Sequence, residues 1–321
     1  MNRKNILVLF PCDAVTRQRL TEAAGDRCNF IFQESDYQQA LPNAHIILGE
    51  PKNEDFAHCE NLEFLQSPCS GVNYYVQGGC FPEGAILCSA TGCYGNLIAE
   101  HMLAMTLSLC RRLPEYYDQQ HRREWKWLHY DKQLSGCTVL ILGAGDIGTT
   151  LAQWVRPMVG RIIGLRRTTG EFPGCFDEMI TPSRLDDVIG QADILLCALP
   201  HTPETIGMLN RERLAKTKTD AVLVNGGRGS LIDQEALCDL LDAGHFWGVG
   251  LEVTSPEPLP PEHPLWSKPR CIITPHASGN TFAPDSPLVR KIWDFMIRNL
   301  VAYLEGNPLA SQIDFTTGYR K

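Results

Sequence analysis

The chain has 321 residues, a length at which one hydrophobic core has usually stopped growing, so two domains are expected. Apolar residues make up 44% and charged residues 21%, ordinary proportions for a globular protein. The formal net charge is −8, and the basic pairs Arg122-Arg123 and Arg166-Arg167 are too short to hold nucleic acid or a membrane by counterion release, so neither is an expected partner.

The first apolar run, Ile6–Phe10, is short and followed by Pro11 and Asp13, so it reads as a strand rather than a signal peptide. No apolar stretch reaches the roughly 18 residues that span a bilayer, and the cytoplasm is the expected location. Further strands are expected at Asn29–Phe32, His45–Leu48, Leu62–Gln66 and Ala85–Cys88. Helix-compatible stretches separate them, the alternation of parallel α/β sheets. A helix over Asn96–Leu113, stopped by Pro114, is apolar nearly all round (Leu97, Ile98, Met102, Leu103, Met105, Leu107, Leu109), which suits burial between two domains. A second series of strands is expected at Thr138–Leu142, Arg161–Leu165, Asp193–Leu199, Ala221–Asn225, Gly248–Val253 and Cys271–Thr274, the complement of a complete doubly wound domain. The last helix, Pro287–Leu304, has Leu288, Ile292, Phe295 and Leu300 at helical spacing and is expected to return to the first domain. Thirteen cysteines are an odd number without a CxxC pair, and Cys110, Cys197 and Cys271 lie in apolar runs. Reduced thiols are expected, with neither a disulfide framework nor a metal site.

The strand ending Val139-Leu140-Ile141-Leu142 runs directly into Gly143-Ala144-Gly145-Asp146-Ile147-Gly148, and Ile147, Leu151, Val155 and Met158 mark one face of a following helix. Strand, glycine turn and helix in that order form a dinucleotide site. The glycines allow the turn, the approach of a diphosphate and close packing of helix on strand, while the helix N-terminus offers N–H groups to the anion. An NAD site carries Asp or Glu about 20 residues on, for the ribose 2′-hydroxyl. Here Arg166, Arg167 and Thr168 occupy that stretch with no carboxylate, so a 2′-phosphate is expected and NADP(H) is the preferred cofactor, NAD(H) the alternative.

Three later strands end in Asn225-Gly226-Gly227-Arg228, in Thr254-Ser255-Pro256-Glu257 and in Pro275-His276-Ala277-Ser278. Open α/β sheets bind ligands beyond the carboxyl ends of their strands. An Arg, a Glu and a His converging there form an anion clamp and an acid–base pair. With the Ser70-Gly71-Val72-Asn73 loop, Ala99-Glu100-His101, Trp125, the glycine turn and Leu199-Pro200 with Thr202-Pro203-Glu204-Thr205, these segments closely resemble the D-isomer-specific 2-hydroxyacid dehydrogenase family through nearly the whole chain.

The resemblance implies two doubly wound parallel-sheet domains, a Rossmann dinucleotide-binding domain (98–282) inserted in a flavodoxin-like substrate domain (1–97 and 283–321). It implies His276 as acid–base residue, Glu257 as the group orienting its imidazole, and Arg228 as the ligand of the substrate carboxylate and carbonyl. Backbone N–H groups at Ser70 and Gly71 are implied as a second carboxylate anchor. Besides the glycine turn, Leu199, Pro200, Thr205, Gly226, Glu252, His276 and Ser278 are implied cofactor contacts. Glu252 stands where Asp is usual beside the nicotinamide carboxamide, and Asn225 closes its strand. The activity implied is reduction of a small 2-keto acid such as glyoxylate or hydroxypyruvate, or oxidation of the matching D-2-hydroxy acid, by a homodimer in which Trp125 and Trp127 are core or interface residues. A phosphoglycerate dehydrogenase-like enzyme and a nicotinamide-sensing corepressor-like protein are the alternatives. The short stretch after the last helix weighs against the former, since it leaves no room for a regulatory domain.

Overall fold

The computed structural model describes residues 3–33, 36–168, 170–279, 282–283 and 285–320. The chain divides into two compact units, Met1–Tyr94 with Thr281–Lys321, and Gly95–Asn280.

In the first unit five strands, β1 (Lys4–Val8), β2 (Cys28–Phe32), β3 (Ile46–Leu48), β4 (Phe64–Gln66) and β5 (Ile86–Cys88), form a parallel sheet in the order β2-β1-β3-β4-β5, the flavodoxin-like arrangement. Its central strands are covered on both faces, which is why they read as unbroken apolar runs: Ile46, Ile47 and Leu48 are all completely buried. Helix α1 (Ala14–Ala24) starts at Asp13, whose carboxylate accepts the Thr16 N–H at 2.7 Å. The short α2 (Asn73–Gln77) follows the loop leaving β4. The last helix, Pro287–Glu305, belongs to this unit as expected; its buried Trp293 donates its indole N–H to the Pro11 carbonyl at 2.8 Å.

The second unit holds seven parallel strands: β6 (Thr138–Leu142), β7 (Arg161–Leu165), β8 (Glu178–Ile180), β9 (Ile194–Cys197), β10 (Ala221–Asn225), β11 (Phe246–Leu251) and β12 (Cys271–Ile273), in the order β12-β11-β10-β9-β6-β7-β8. The order reverses between β6 and β9, the switch point of a doubly wound sheet. Six strands were expected. The seventh, β8, is an edge strand of three residues closed off by Thr181-Pro182, too short for its apolar content to stand out.

The helix expected over 96–113 is α3 (Gly95–Cys110), which ends three residues earlier, and a helix not expected from the sequence, α4 (Leu113–Arg122), follows it. Proline cannot continue a helix but suits the first turn of one, and Pro114 opens α4 rather than merely closing α3. Between them Arg112 takes a φ of +57° and its guanidinium holds Glu115 and the Leu128 carbonyl. One face of α3 lies on the sheet: a Cβ on Gly248 would stand 2.8 Å from Leu109 and one on Gly226 2.6 Å from Met102, so side chains of α3 fill the space those glycines leave. The remaining helices of the unit are α5 (Asp146–Val155), α6 (Leu185–Val188), α7 (Arg211–Lys216) and α8 (Gln234–Asp242). Among the described residues no helix is long and apolar enough to cross a membrane.

Candidate active site

At the carboxyl end of β6, Gly143 turns the chain at a φ of +105°, and the N–H groups of Gly143 and Ala144 both donate to the Leu165 carbonyl, at 3.0 and 2.8 Å. Gly148 is needed for contact, since a Cβ there would lie 2.1 Å from the Gly143 oxygen. Gly145, at the N-terminus of α5, is different: the position of its absent Cβ faces open space within 4 Å. Turn, open approach and tight helix packing are the three features a diphosphate needs beside a helix N-terminus, so these residues fit the diphosphate of a dinucleotide. The Asp146 carboxylate points away to Gly95 at the start of α3, leaving the backbone of Asp146 and Ile147 as their contribution.

Beyond β7 the candidate 2′-phosphate residues split. The Arg166 guanidinium folds back on its own loop, donating from Nη2 to the Glu171 carbonyl at 2.8 Å, while its Nε is buried with no hydrogen-bond partner among the described residues. Arg167 and Thr168 are exposed. Glu204 lies near enough for Arg167 to act on it. A hydrogen bond from Thr202 and one from its own N–H hold the Glu204 carboxyl below its ordinary range, with Arg167 adding to the effect. An orphaned guanidinium nitrogen beside two exposed donors, with no carboxylate at the strand end, fits an added anion.

The loop after β9 is tied by Thr205, whose hydroxyl donates to the Pro200 carbonyl at 2.6 Å and accepts the Thr202 N–H at 2.9 Å. Leu199 is buried, and Gly226 donates its N–H to Cys197 at 3.0 Å. His201 Nδ1 meets the Ser230 hydroxyl at 2.6 Å, linking this loop to the one that carries Arg228.

Arg228, Glu257 and His276 follow β10, β11 and β12, three neighbours in the sheet. Asn225 does more than close its strand. Completely buried, it donates from Nδ2 to the Arg228 carbonyl at 2.9 Å and accepts the Gly227 N–H at 3.0 Å, fixing the backbone from which Arg228 projects. Glu257 Oε2 lies 2.8 Å from His276 Nδ1, and its other oxygen accepts the Thr254 N–H at 3.0 Å. A carboxylate has only acceptors, so Nδ1 carries the hydrogen in this pair.

Glu252, only 1% exposed, is engaged at both carboxylate oxygens. Oε1 accepts the Ser278 N–H at 2.5 Å; Oε2 accepts the Thr274 hydroxyl and lies 3.2 Å from His101 Nε2. Burial pushes its carboxyl up, but the hydrogen bonds from Thr274 and Ser278, aided by His101, outweigh it and hold the group below its ordinary value. His101 stands in the Ala99-Glu100-His101 segment singled out from the sequence, but its partners, like those of Thr274, His201 and Ser230, lie far along the chain and have no local signal.

Ser70 and Gly71 lie in the first unit, on the loop after β4. That loop is fixed by the Tyr94 hydroxyl on the Pro68 carbonyl (2.7 Å), the Ala90 N–H on the Cys69 carbonyl (2.8 Å) and the Cys69 N–H on the Ser67 hydroxyl (3.0 Å).

Residues 103–278 match the NAD binding domain of the D-isomer specific 2-hydroxyacid dehydrogenases. An uncharacterized protein in the proB 3′ region of Corynebacterium melassecola is 34% identical over 81% of this chain and 84% of its own length. Hydroxypyruvate reductase of Blautia hydrogenotrophica is 28% identical over 80% of both chains. The crystal structure of a D-isomer specific 2-hydroxyacid dehydrogenase family protein from Aeromonas salmonicida superposes with a TM-score of 0.85 at 31% identity, covering 98% of this chain and 100% of that one.

Proposed function

Because the chain belongs to the D-isomer-specific 2-hydroxyacid dehydrogenase family, nicotinamide-dependent oxidoreductases acting on CH–OH groups, we propose that it is an NADPH-preferring reductase of small 2-keto acids such as glyoxylate or hydroxypyruvate. The observation that carries this reading is the 2.8 Å pair of Glu257 and His276, with Arg228 on the loop that follows the neighbouring strand β10.

In the proposed reaction Arg228 holds the substrate carboxylate and polarises the keto oxygen, stabilising negative charge as it develops there. His276 gives its Nε2 proton to that oxygen, while Glu257 keeps the Nδ1 hydrogen and balances the charge of the imidazolium. When bound, the reduced nicotinamide supplies the hydride that reaches the keto carbon. The alcohol that results has gained one hydride and one proton, and in oxidation His276 takes the proton back. Ser70 and Gly71 are assigned as further carboxylate ligands through their backbone N–H groups. The diphosphate falls to the backbone from Gly143 to Gly148, with Leu199, Pro200, Thr205, Gly226 and Ser278 around the rest of the cofactor. The 2′-phosphate falls to Arg166, Arg167 and Thr168.

The protein is proposed to be a cytoplasmic homodimer. Its cysteines are all free thiols, which suits a reducing compartment. Trp125, Trp127 and Tyr130 stand exposed on one segment after α4, where a second copy of the chain would bury them. Size-exclusion chromatography with light scattering tests the dimer, and a monomer at micromolar concentration refutes it. The activity is tested by following NADPH oxidation at 340 nm (an assay wavelength, roughly the reduced nicotinamide maximum) with a panel of 2-keto acids. Turnover of a small keto acid is expected; tight NADPH binding without turnover of any would replace the enzyme by a cofactor-sensing protein.

A further inference from the structure

His276 has a φ of +50°, in the left-handed region that a non-glycine residue occupies only when its surroundings over-determine it. One residue, Glu252, touches that loop at three points. The His276 N–H donates to the Glu252 carbonyl at 3.0 Å as well as to that of Thr274 at 3.0 Å. The Glu252 carboxylate then takes the Thr274 hydroxyl with one oxygen and the Ser278 N–H with the other. Glu252 thus grips the loop two residues before the histidine, at the histidine and two residues after it.

The second member of this arrangement is His101 on α3. The Thr274 hydroxyl has one hydrogen, and the Glu252 carboxylate, which can only accept, takes it. His101 Nε2 lies 3.0 Å from the same hydroxyl oxygen and 3.2 Å from Glu252 Oε2, so it carries a hydrogen and donates to them. With both oxygens occupied in this way, the carboxylate has a local task that does not require the cofactor.

We propose that Glu252, supported by His101, is a positioning residue that holds the Thr274–Ser278 loop and thereby aims the His276 imidazole, rather than a contact to the nicotinamide. The length of the side chain is central: an Asp, one methylene shorter, is expected to give up one of the contacts that Glu252 makes to Thr274 and Ser278. Small misplacement of an acid–base group costs rate while leaving binding intact.

This proposal rests on the reductase reading, so the test begins with wild-type protein, NADPH and glyoxylate or hydroxypyruvate. Glu252→Asp is expected to lower kcat by about 10-fold or more while the NADPH dissociation constant, read by fluorescence, stays within about 2-fold. His101→Phe, at a partly exposed position, should lower kcat by about 3-fold. The double variant should be no slower than Glu252→Asp alone, because His101 acts through the same carboxylate. Losses that multiply, or a 10-fold weaker NADPH affinity with kcat retained, would overturn the clamp. Should Glu252→Asp not fold, the His101→Phe result decides, with unchanged kcat counting against the proposal. If wild type turns over no keto acid, the reductase reading fails but the clamp is still measurable. The ring N–H signal of His276 in nitrogen-edited NMR, assigned by its loss in His276→Gln, should exchange faster with water in Glu252→Asp, and an unchanged signal refutes the clamp.

Discussion

The ends of β10, β11 and β12 and the end of β7 both present polar groups suited to a ligand, yet they are built differently. At the first, each exposed or half-exposed functional side chain stands on a buried one: Arg228 on Asn225, and His276 on Glu252. At the second, Arg167 and Thr168 are exposed and the Arg166 guanidinium is tied to its own loop. Proton transfer requires atoms within hydrogen-bond reach and tolerates little misplacement. A phosphate recognised by surface arginines tolerates more, because charge–charge attraction varies slowly with distance. In the proposed reaction, precision is therefore concentrated where the bond-making atoms would meet.

The strongest way to break this comparison is at the tightly held end. His276→Gln should depress kcat by ~10²-fold or more, the usual worth of a general acid, while NADPH affinity measured by fluorescence titration stays nearly unchanged. Normal turnover would remove His276 from the chemistry. The loosely held end should respond in selectivity alone. Arg166→Asp and Arg167→Ala are each expected to move the ratio of kcat/KM for NADPH over NADH toward NADH, by about 10-fold, in line with loss of a charged hydrogen bond. Their melting temperatures should match wild type. An unchanged ratio in both would refute the 2′-phosphate assignment.

Asn225→Ala sharpens the contrast, since it touches no ligand. Loss of two buried hydrogen bonds should destabilise the protein by about 1–3 kcal/mol in urea unfolding and raise KM for the keto acid as Arg228 loses its fixed backbone. A destabilised protein with unaltered KM would show that Asn225 serves the fold alone.

The two ends also differ in how far sequence reasoning reaches. The turn Gly143–Gly148 and the polar tips after β10, β11 and β12 are contiguous with their strands, so their placement follows from local pattern. Glu252 is different. Its partner His101 is on α3, some 150 positions earlier, and no local signal says that the carboxylate turns toward Thr274 and Ser278. Likewise Arg166 is recognisable as a base at the right spacing, but its retreat onto the Glu171 carbonyl depends on how the following loop folds. The strand β8 and the helix α4 escape for a related reason. Three residues are too few for periodicity, and one proline is compatible with ending a helix or starting one.

The smallest expected effect concerns acid stability, and it too separates the buried prop from the exposed groups. The Glu252 carboxyl has a folded-state pKa below its ordinary value of 4.5. Its ionised form is therefore favoured by folding, and the associated stability is fully present above about pH 4.5, then lost as pH falls through the lower folded value. Glu252→Gln removes the titration while keeping the length of the side chain. Its urea-unfolding free energy should depend less steeply on pH below 4.5 than that of wild type, with the two curves parallel above it. Arg167→Ala should leave the acid limb as it is in wild type, because the Glu204 carboxyl that this arginine helps to hold down is exposed. If Glu252→Gln and wild type lose stability in parallel as the pH falls, the hydrogen bonds from Thr274 and Ser278 do not favour the charged carboxylate, and the buried prop under His276 is held by shape rather than by charge.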